Sequence, residues 1–196
     1  MAVSDALYRM RRVQVRWGDY GEILHHGISW NRERVDGVIQ LERTGPFIPA
    51  LSMPSTDEVV IVDDLRRRLS ASDLQGFVVC PVTKRRIVRL EWQNWPDADE
   101  PAQYPAGGEP ENYVLRRRHH DPTADELGAL WELSADSAVQ FCAEDASAVS
   151  VDQPHADFFV GSVRHPGVYV SAKAREWFEN EVRECVAWDA LQLVRA

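Results

Sequence analysis

Along this chain, apolar positions follow two rhythms, alternation by twos and spacing by fours, and the rhythm changes often. Val13, Val15 and Trp17 alternate with Arg12, Gln14 and Arg16, a period that predicts a strand with one buried face. In NRERVDGVIQLER, Asp36-Gly37 separates two further short strands, because Asp-Gly supplies the positive φ angles of a tight hairpin turn. Residues 44–54, TGPFIPALSMP, hold three prolines without a backbone donor. They predict an irregular crossing with Phe47, Ile48 and Leu51 turned inward.

Val59 to Val62 is an unbroken apolar run, the pattern of a strand covered on both faces. Asp63 is placed to cap a following helix whose Leu65 and Leu69 stand four apart on its inner side, with Arg66, Arg67 and Arg68 outside. Gly76 suits a left-handed turn, Phe77 to Cys80 resumes as strand, and Lys84 to Trp92 predicts a longer one. The same order returns later. Phe158 to Val160 and Val168 to Val170 read as strands, Ser171 as a cap, Trp177 and Val182 as a helix's inner side, and Val186 to Val194 as a closing strand. Aligning Asp63 with Ser171 thus pairs two strand-helix-strand units.

Between the units, residues 96–112, PDADEPAQYPAGGEPEN, carry four prolines, a Gly-Gly pair and no base, and predict a linker or long surface loop. Tyr113 to Arg118 is expected as a strand. Thr123-Ala124-Asp125-Glu126 has the form of a capping box before Leu127, Leu130 and Trp131, which predicts a helix; residues 134–153 fit no one pattern. The expected fold class is α+β, a mixed and mainly antiparallel sheet or sheets with a few short covering helices and two related strand-helix-strand units. The expected organisation is residues 1–95 with the first unit, the acidic segment 96–112, and residues 113–196 with a helix and the second unit, all able to pack as one domain.

Composition adds partners and compartment. At 196 residues, 44% hydrophobic and 27% charged, the chain has the make-up of an ordinary soluble protein with a sizeable core. The opening MAVSDALYRMRRVQVRW reads as neither a secretion signal nor a membrane span, so no membrane partner is expected and cytoplasm is the expected compartment. Cys80, Cys142 and Cys185 lack metal-knuckle or redox spacing and are expected as buried thiols. The net charge of −9 is concentrated: from Asp97 to Asp157 there are fourteen acids against Arg116, Arg117 and Arg118. Such a field repels phosphate backbones, which disfavours nucleic acid as a partner, and attracts a basic protein.

Candidate chemistry is sparse. The histidines, His25-His26, His119-His120, His155 and His165, form no metal-binding spacing, and no phosphate-cradling or nucleophile-elbow motif occurs. Asp63-Asp64 and Glu144-Asp145 are carboxylate pairs of the kind that serves as acid and base, but sequence does not display the shifted pKa values that mark a working pair. No cofactor, metal or catalytic residue is therefore expected. Trp92 and Trp95 lead into the acidic segment, and aromatic anchors rimmed by acids are the composition of a protein-binding hot spot. The expected partner-binding residues are Trp92, Trp95, Asp97, Asp99, Glu100, Glu109 and Glu111.

The segment VIVDDLRRRLSASDLQGFVVCPV, with a looser copy in VYVSAKAREWFENEVRECVAWDAL, resembles a unit of bacterial immunity proteins from polymorphic toxin systems. The first copy, continued through TKRRIVRLEW, is also similar to the myxobacterial immunity proteins that carry paired Cys-x-x-Cys-Gly motifs. This chain has no Cys-x-x-Cys, so zinc is not carried over. The resemblance implies a non-enzymatic protein that binds and neutralises a cognate toxin with a basic surface, and it leaves self-association open. The alternatives are an enzyme with a dispersed active site, and an acidic scaffold or nucleic-acid mimic.

Overall fold

The computed structural model describes residues 6–91, 99–100, 104, 108–142, 148–151 and 153–193. The first half contains β1 (Ala6–Arg11), α1 (Gly18–His25), β2 (Ile28–Val35), β3 (Val38–Gly45), β4 (Leu51–Ser52), β5 (Val59–Val62), α2 (Asp63–Ser70), β6 (Phe77–Pro81) and β7 (Thr83–Arg89). There follow α3 (Pro110–Arg116), α4 (Asp121–Glu126), β8 (Leu130–Ala135), β9 (Val139–Phe141), β10 (Ala148–Val151), β11 (Phe158–Ser162), β12 (His165–Ser171), α5 (Ala172–Glu181) and β13 (Ala187–Leu193). The fold is α+β, with mainly antiparallel sheets and short helices.

The continuous apolar run Val59–Val62 does form a buried strand, β5, in a sheet ordered β4-β5-β8-β6. Since β8 is antiparallel to both β5 and β6, those two run parallel, joined over one face by α2. The second unit repeats this plan. In the six-stranded sheet, ordered β11-β12-β1-β13-β10-β9, β1 lies antiparallel between β12 and β13, which α5 joins. Each unit is thus a strand-helix-strand crossover with a foreign strand inserted in its middle, and each is preceded by an antiparallel edge strand, β4 or β11. The six-stranded sheet curls until β9 meets β11 again, through a bridge from Ala138 to Val160.

The helices of the two units share one core. Leu65 and Leu69 of α2, Ala174 and Phe178 of α5, and Met10, Ile61, Phe158 and Val170 from the sheets form a continuous buried cluster. Asp157 pins the units together from the edge: its carboxylate accepts from the Gln75 amide at 3.0 Å and the Ser171 hydroxyl at 2.6 Å. A third sheet, β2-β3-β7, carries the Asp36-Gly37 hairpin, with Asp36 at φ 51 and Gly37 at φ 81 as the turn chemistry predicts.

Several local expectations are corrected. Residues 12–16 are irregular and Trp17 has φ 71; the strand lies earlier, at Ala6–Arg11, where Leu7 and Met10 are buried in different clusters. Tyr113 to Arg118 is not a strand. Pro110 opens α3 instead, since its missing donor costs nothing in a first helical turn. Thr123 and Glu126 are no capping box: the His120 ring accepts from the Thr123 amide, and Leu130 and Trp131 belong to β8. Asp63 does not cap α2 either, because Val62 occupies the cap position. Aligned on the true caps, Val62 and Ser171, the buried pair Leu65 and Leu69 matches Ala174 and Phe178. Cys80, on edge strand β6, is exposed, Cys142 is half-buried and Cys185 is buried.

Candidate functional site

Strand β2 starts in register with β3, Ser29 opposite Leu41, and resumes with Arg34 opposite Ile39. The residues between form a bulge in which Asn31 and Arg32 take φ values of 46° and 53°. Left-handed backbone costs about 1–2 kcal/mol per non-glycine residue, and two in succession persist only where the surroundings hold them. Beside the bulge the Trp30 ring lies 3.2 Å from the Arg85 guanidinium. A cleft opens on either side of this point.

The first cleft, about 600 Å³, lies between β2 and α3. Glu111 and Leu115 stand four apart on α3 and so share a face; with Ile28, Trp30 and Glu42 they line the cleft. Leu115 is 49% exposed, large for an aliphatic residue with no visible cover. Glu42 is buried, with Arg85 at 3.5 Å and Arg86 at 3.7 Å; both are too long for hydrogen bonds, and its Oε1 has no partner in one.

Of the residues expected to bind a partner, Trp92, Trp95 and Asp97 lie outside the described residues. Asp99 is exposed and stands 3.9 Å from Arg16, and Glu100 accepts from the Trp17 amide at 3.3 Å. Glu109 occupies the cap position of α3 and Glu111 its first turn, where carboxylates meet the positive end of the helix dipole. Helices α1 and α3 pack together through Trp17, Ile23, Tyr113 and Val114. The Tyr20 hydroxyl donates to the Gly108 carbonyl at 2.6 Å, and the Tyr20 and Tyr104 rings lie 5.2 Å apart. The four described acids thus gather around the starts of these two helices. Trp30 and Leu115, which complete the first cleft, were not singled out by sequence; the bulge that positions Trp30 has no glycine or proline to announce it.

The second cleft, about 540 Å³, lies across the bulge, between the end of β1, the start of β2 and residues 53–56. It is lined by Arg9, Arg11, Arg12 and Arg32. Arg12 donates to the Met53 and Pro54 carbonyls and pairs with Glu22 at 3.1 Å. Burial outweighs that pairing and raises the Glu22 carboxyl above its usual range.

The carboxylates considered as acid and base are otherwise engaged or not visible. Asp63 accepts from Arg66 at 2.8 Å and from the Trp131 indole at 3.0 Å, and the bond from Arg66 above all lowers its pKa. Glu144-Asp145 lies outside the described residues. Among the described residues no group of three or more His, Cys, Asp or Glu is placed to hold a metal, and no helix is long and apolar enough to cross a membrane. Compared with known protein families, with curated proteins and with solved structures, the chain matches none.

Proposed function

We propose that this chain is a non-enzymatic immunity protein that binds and neutralises a cognate toxin in the cytoplasm of the bacterium making both. The cleft between β2 and α3 receives a basic side chain of the toxin. The observation that carries this reading is the make-up of that cleft: an exposed aliphatic residue, Leu115, and the Trp30 ring beside the Glu111 carboxylate, with Glu42 buried behind them against Arg85 and Arg86 and with Arg32 at the far edge. An apolar centre with charged groups at its edge is the anatomy of a binding hot spot, and the Glu111 carboxylate at the cleft's edge is the acceptor for the incoming cation. The resemblance of the two strand-helix-strand units to those of immunity proteins supports the same reading.

A standard interface buries about 1,600 Å² in all, far more than one cleft. The rim therefore includes Asp99, Glu100 and Glu109; the partner-binding residues expected at Trp92, Trp95 and Asp97 lie outside the described residues. Such acids act chiefly by steering, so their effect is on association rate and falls with salt.

The test is capture of the toxin from the native host on the tagged protein, followed by kinetics with variants. Leu115→Asp is expected to weaken binding by about a hundredfold, as loss of a central anchor does. The double variant Glu109→Lys, Glu111→Lys is expected to slow association about tenfold at low salt and much less at high salt. Toxin activity restored at the concentrations where binding is lost completes the case. If the chain captures no toxin, or if affinity and rate are the same in both variants, the reading fails.

A further inference from the structure

The cleft across the bulge has a character opposite to that of the chain as a whole. In a protein of net charge −9, Arg9, Arg11, Arg12 and Arg32 line it together with the hydroxyl residues Ser29, Ser55 and Thr56, and no carboxylate is among the lining residues. The carboxylates stand one row behind and hold the donors in place. Asp189 takes Arg11 through both oxygens at 3.0 and 3.1 Å, Glu22 takes Arg12, Glu58 accepts from Ser29, and Asp57 accepts from Ser55 at 2.7 Å.

Two arginines keep unused capacity. Arg32 makes no ion pair or hydrogen bond among the described residues, and its left-handed backbone turns it out of the β2 ladder at the junction of the clefts. Arg9 donates one Nη to the Pro166 carbonyl at 2.7 Å, while its Nε, shielded from water, has no partner. A shielded N–H without an acceptor is costly, and an anion oxygen is the acceptor that suits it best. Gly167 lets the backbone pack closely against this side chain, since a Cβ at that position would come 3.0 Å from the same Nε.

We infer that this cleft binds a small phosphorylated metabolite, its phosphate held by Arg9 and Arg32 and its remaining oxygens by the hydroxyls. Planar guanidinium forks suit the tetrahedral oxyanion, and the cleft has the volume of a small-molecule site. A nucleic-acid strand is disfavoured by the ring of Asp57, Asp189 and Glu22 and by the net charge. The cleft shares Ile28, Ser29 and Arg32 with the one between β2 and α3, but the inference does not depend on the toxin-binding reading.

The probe is inorganic pyrophosphate, followed by calorimetry and thermal melting. Saturable binding at one site with a raised melting temperature is expected. Arg32→Asn, chosen because asparagine tolerates the left-handed backbone, is expected to weaken it about tenfold with the melting temperature of the free protein unchanged. Glu111→Lys, on the other cleft, is expected to leave it intact. The inference is overturned by absence of saturable binding up to about 10 mM pyrophosphate, by unchanged binding in Arg32→Asn, by equal stabilisation from sulfate at matched ionic strength, or by tighter binding of a single-stranded oligonucleotide.

Discussion

Arg43 is the least expected side chain in this molecule, because it is completely buried and among the described residues has no carboxylate to pair with. It is held by carbonyls: those of Leu24, of Phe47 at 2.8 Å and of Thr44 at 3.1 Å. Leu24 lies in the last turn of α1, where carbonyls point outward and carry the negative end of the helix dipole, so a cation there is partly compensated. Burial lowers the Arg43 pKa to about 9, which leaves it charged at neutral pH. That charge has a consequence for its neighbours. His25 and His26 lie beside it, and burial first, then surrounding cations, lowers their pKa values to about 4 and about 3. The His26 Nδ1 accepts from the Met53 amide at 3.2 Å, a bond that needs the neutral ring. In the unfolded chain both rings take up a proton near pH 6.5, and in the fold they resist it. Between those values the unfolded state binds more protons, so stability falls as pH drops below about 6.5 and keeps falling toward pH 4. Glu22, raised by burial, works in the opposite sense above its usual range, with a single group against two. Urea midpoints are expected to stay nearly level from pH 7.5 to about pH 6.5 and to fall from there to pH 5, and His26→Asn, which keeps an acceptor for Met53, is expected to flatten that fall. An unchanged slope in the variant would place the pH dependence elsewhere.

The two strand-helix-strand units succeed by different local means. α5 begins with a true cap, the Ser171 hydroxyl accepting from the Ala174 amide at 3.1 Å and donating to Asp157. α2 has no side-chain cap and relies on the burial of Leu65 and Leu69 and on half-buried pairs such as Asp63 with Arg66. Ser171→Ala is therefore expected to cost about 1–2 kcal/mol in chemical denaturation, losing the cap and leaving the buried Asp157 with one partner fewer. Gly76→Ala is expected to cost at least as much, since Gly76 has φ +83° and a Cβ there would meet the Ala156 Cβ at 2.8 Å. This level also shows what the sequence makes legible. An unbroken run of four β-branched residues, Val59–Val62, favours a strand buried on both faces, and Asp36-Gly37 favours a tight turn, so both were readable. Tyr113 and Val114 have the side chains of a strand, yet Pro110 starts a helix and α1 covers it. Cys80 sits among apolar residues and is exposed because β6 is an edge, which depends on β8 arriving on its other side. The four arginines of the second cleft were invisible for the same reason: Arg32 reaches Arg9, Arg11 and Arg12 only through the path of the chain between β1 and β2 and the bulge that no local signal marks.

At the scale of the molecule, the strand order ties β1 to β13, from opposite halves of the chain. β1 hydrogen-bonds along its length to β13 and also to β12, while β8, from the second half, fills the gap between β5 and β6 from the first. Each crossover therefore lacks its central strand unless the other half supplies it. A sheet missing its middle strand exposes two rows of unpaired backbone groups and loses one wall of its core. The shared cluster makes the dependence mutual, since Met10 from the N-terminal half packs in the same core as Phe158, Val170 and Phe178 from the C-terminal half. Cutting the chain within residues 96–112 tests this directly, because a break ahead of α3 falls outside every strand and helix of the described residues. The two fragments left by a break between residues 105 and 106, made separately, are each expected to show no cooperative thermal transition by circular dichroism. Mixed at equal concentration, they are expected to recover one transition and to co-elute as a single species, since the missing β1 and β8 are then exchanged between them. A sharp transition in either fragment alone would show that its unit closes without the foreign strand, and the interleaved order would then be a packing arrangement rather than a condition of folding.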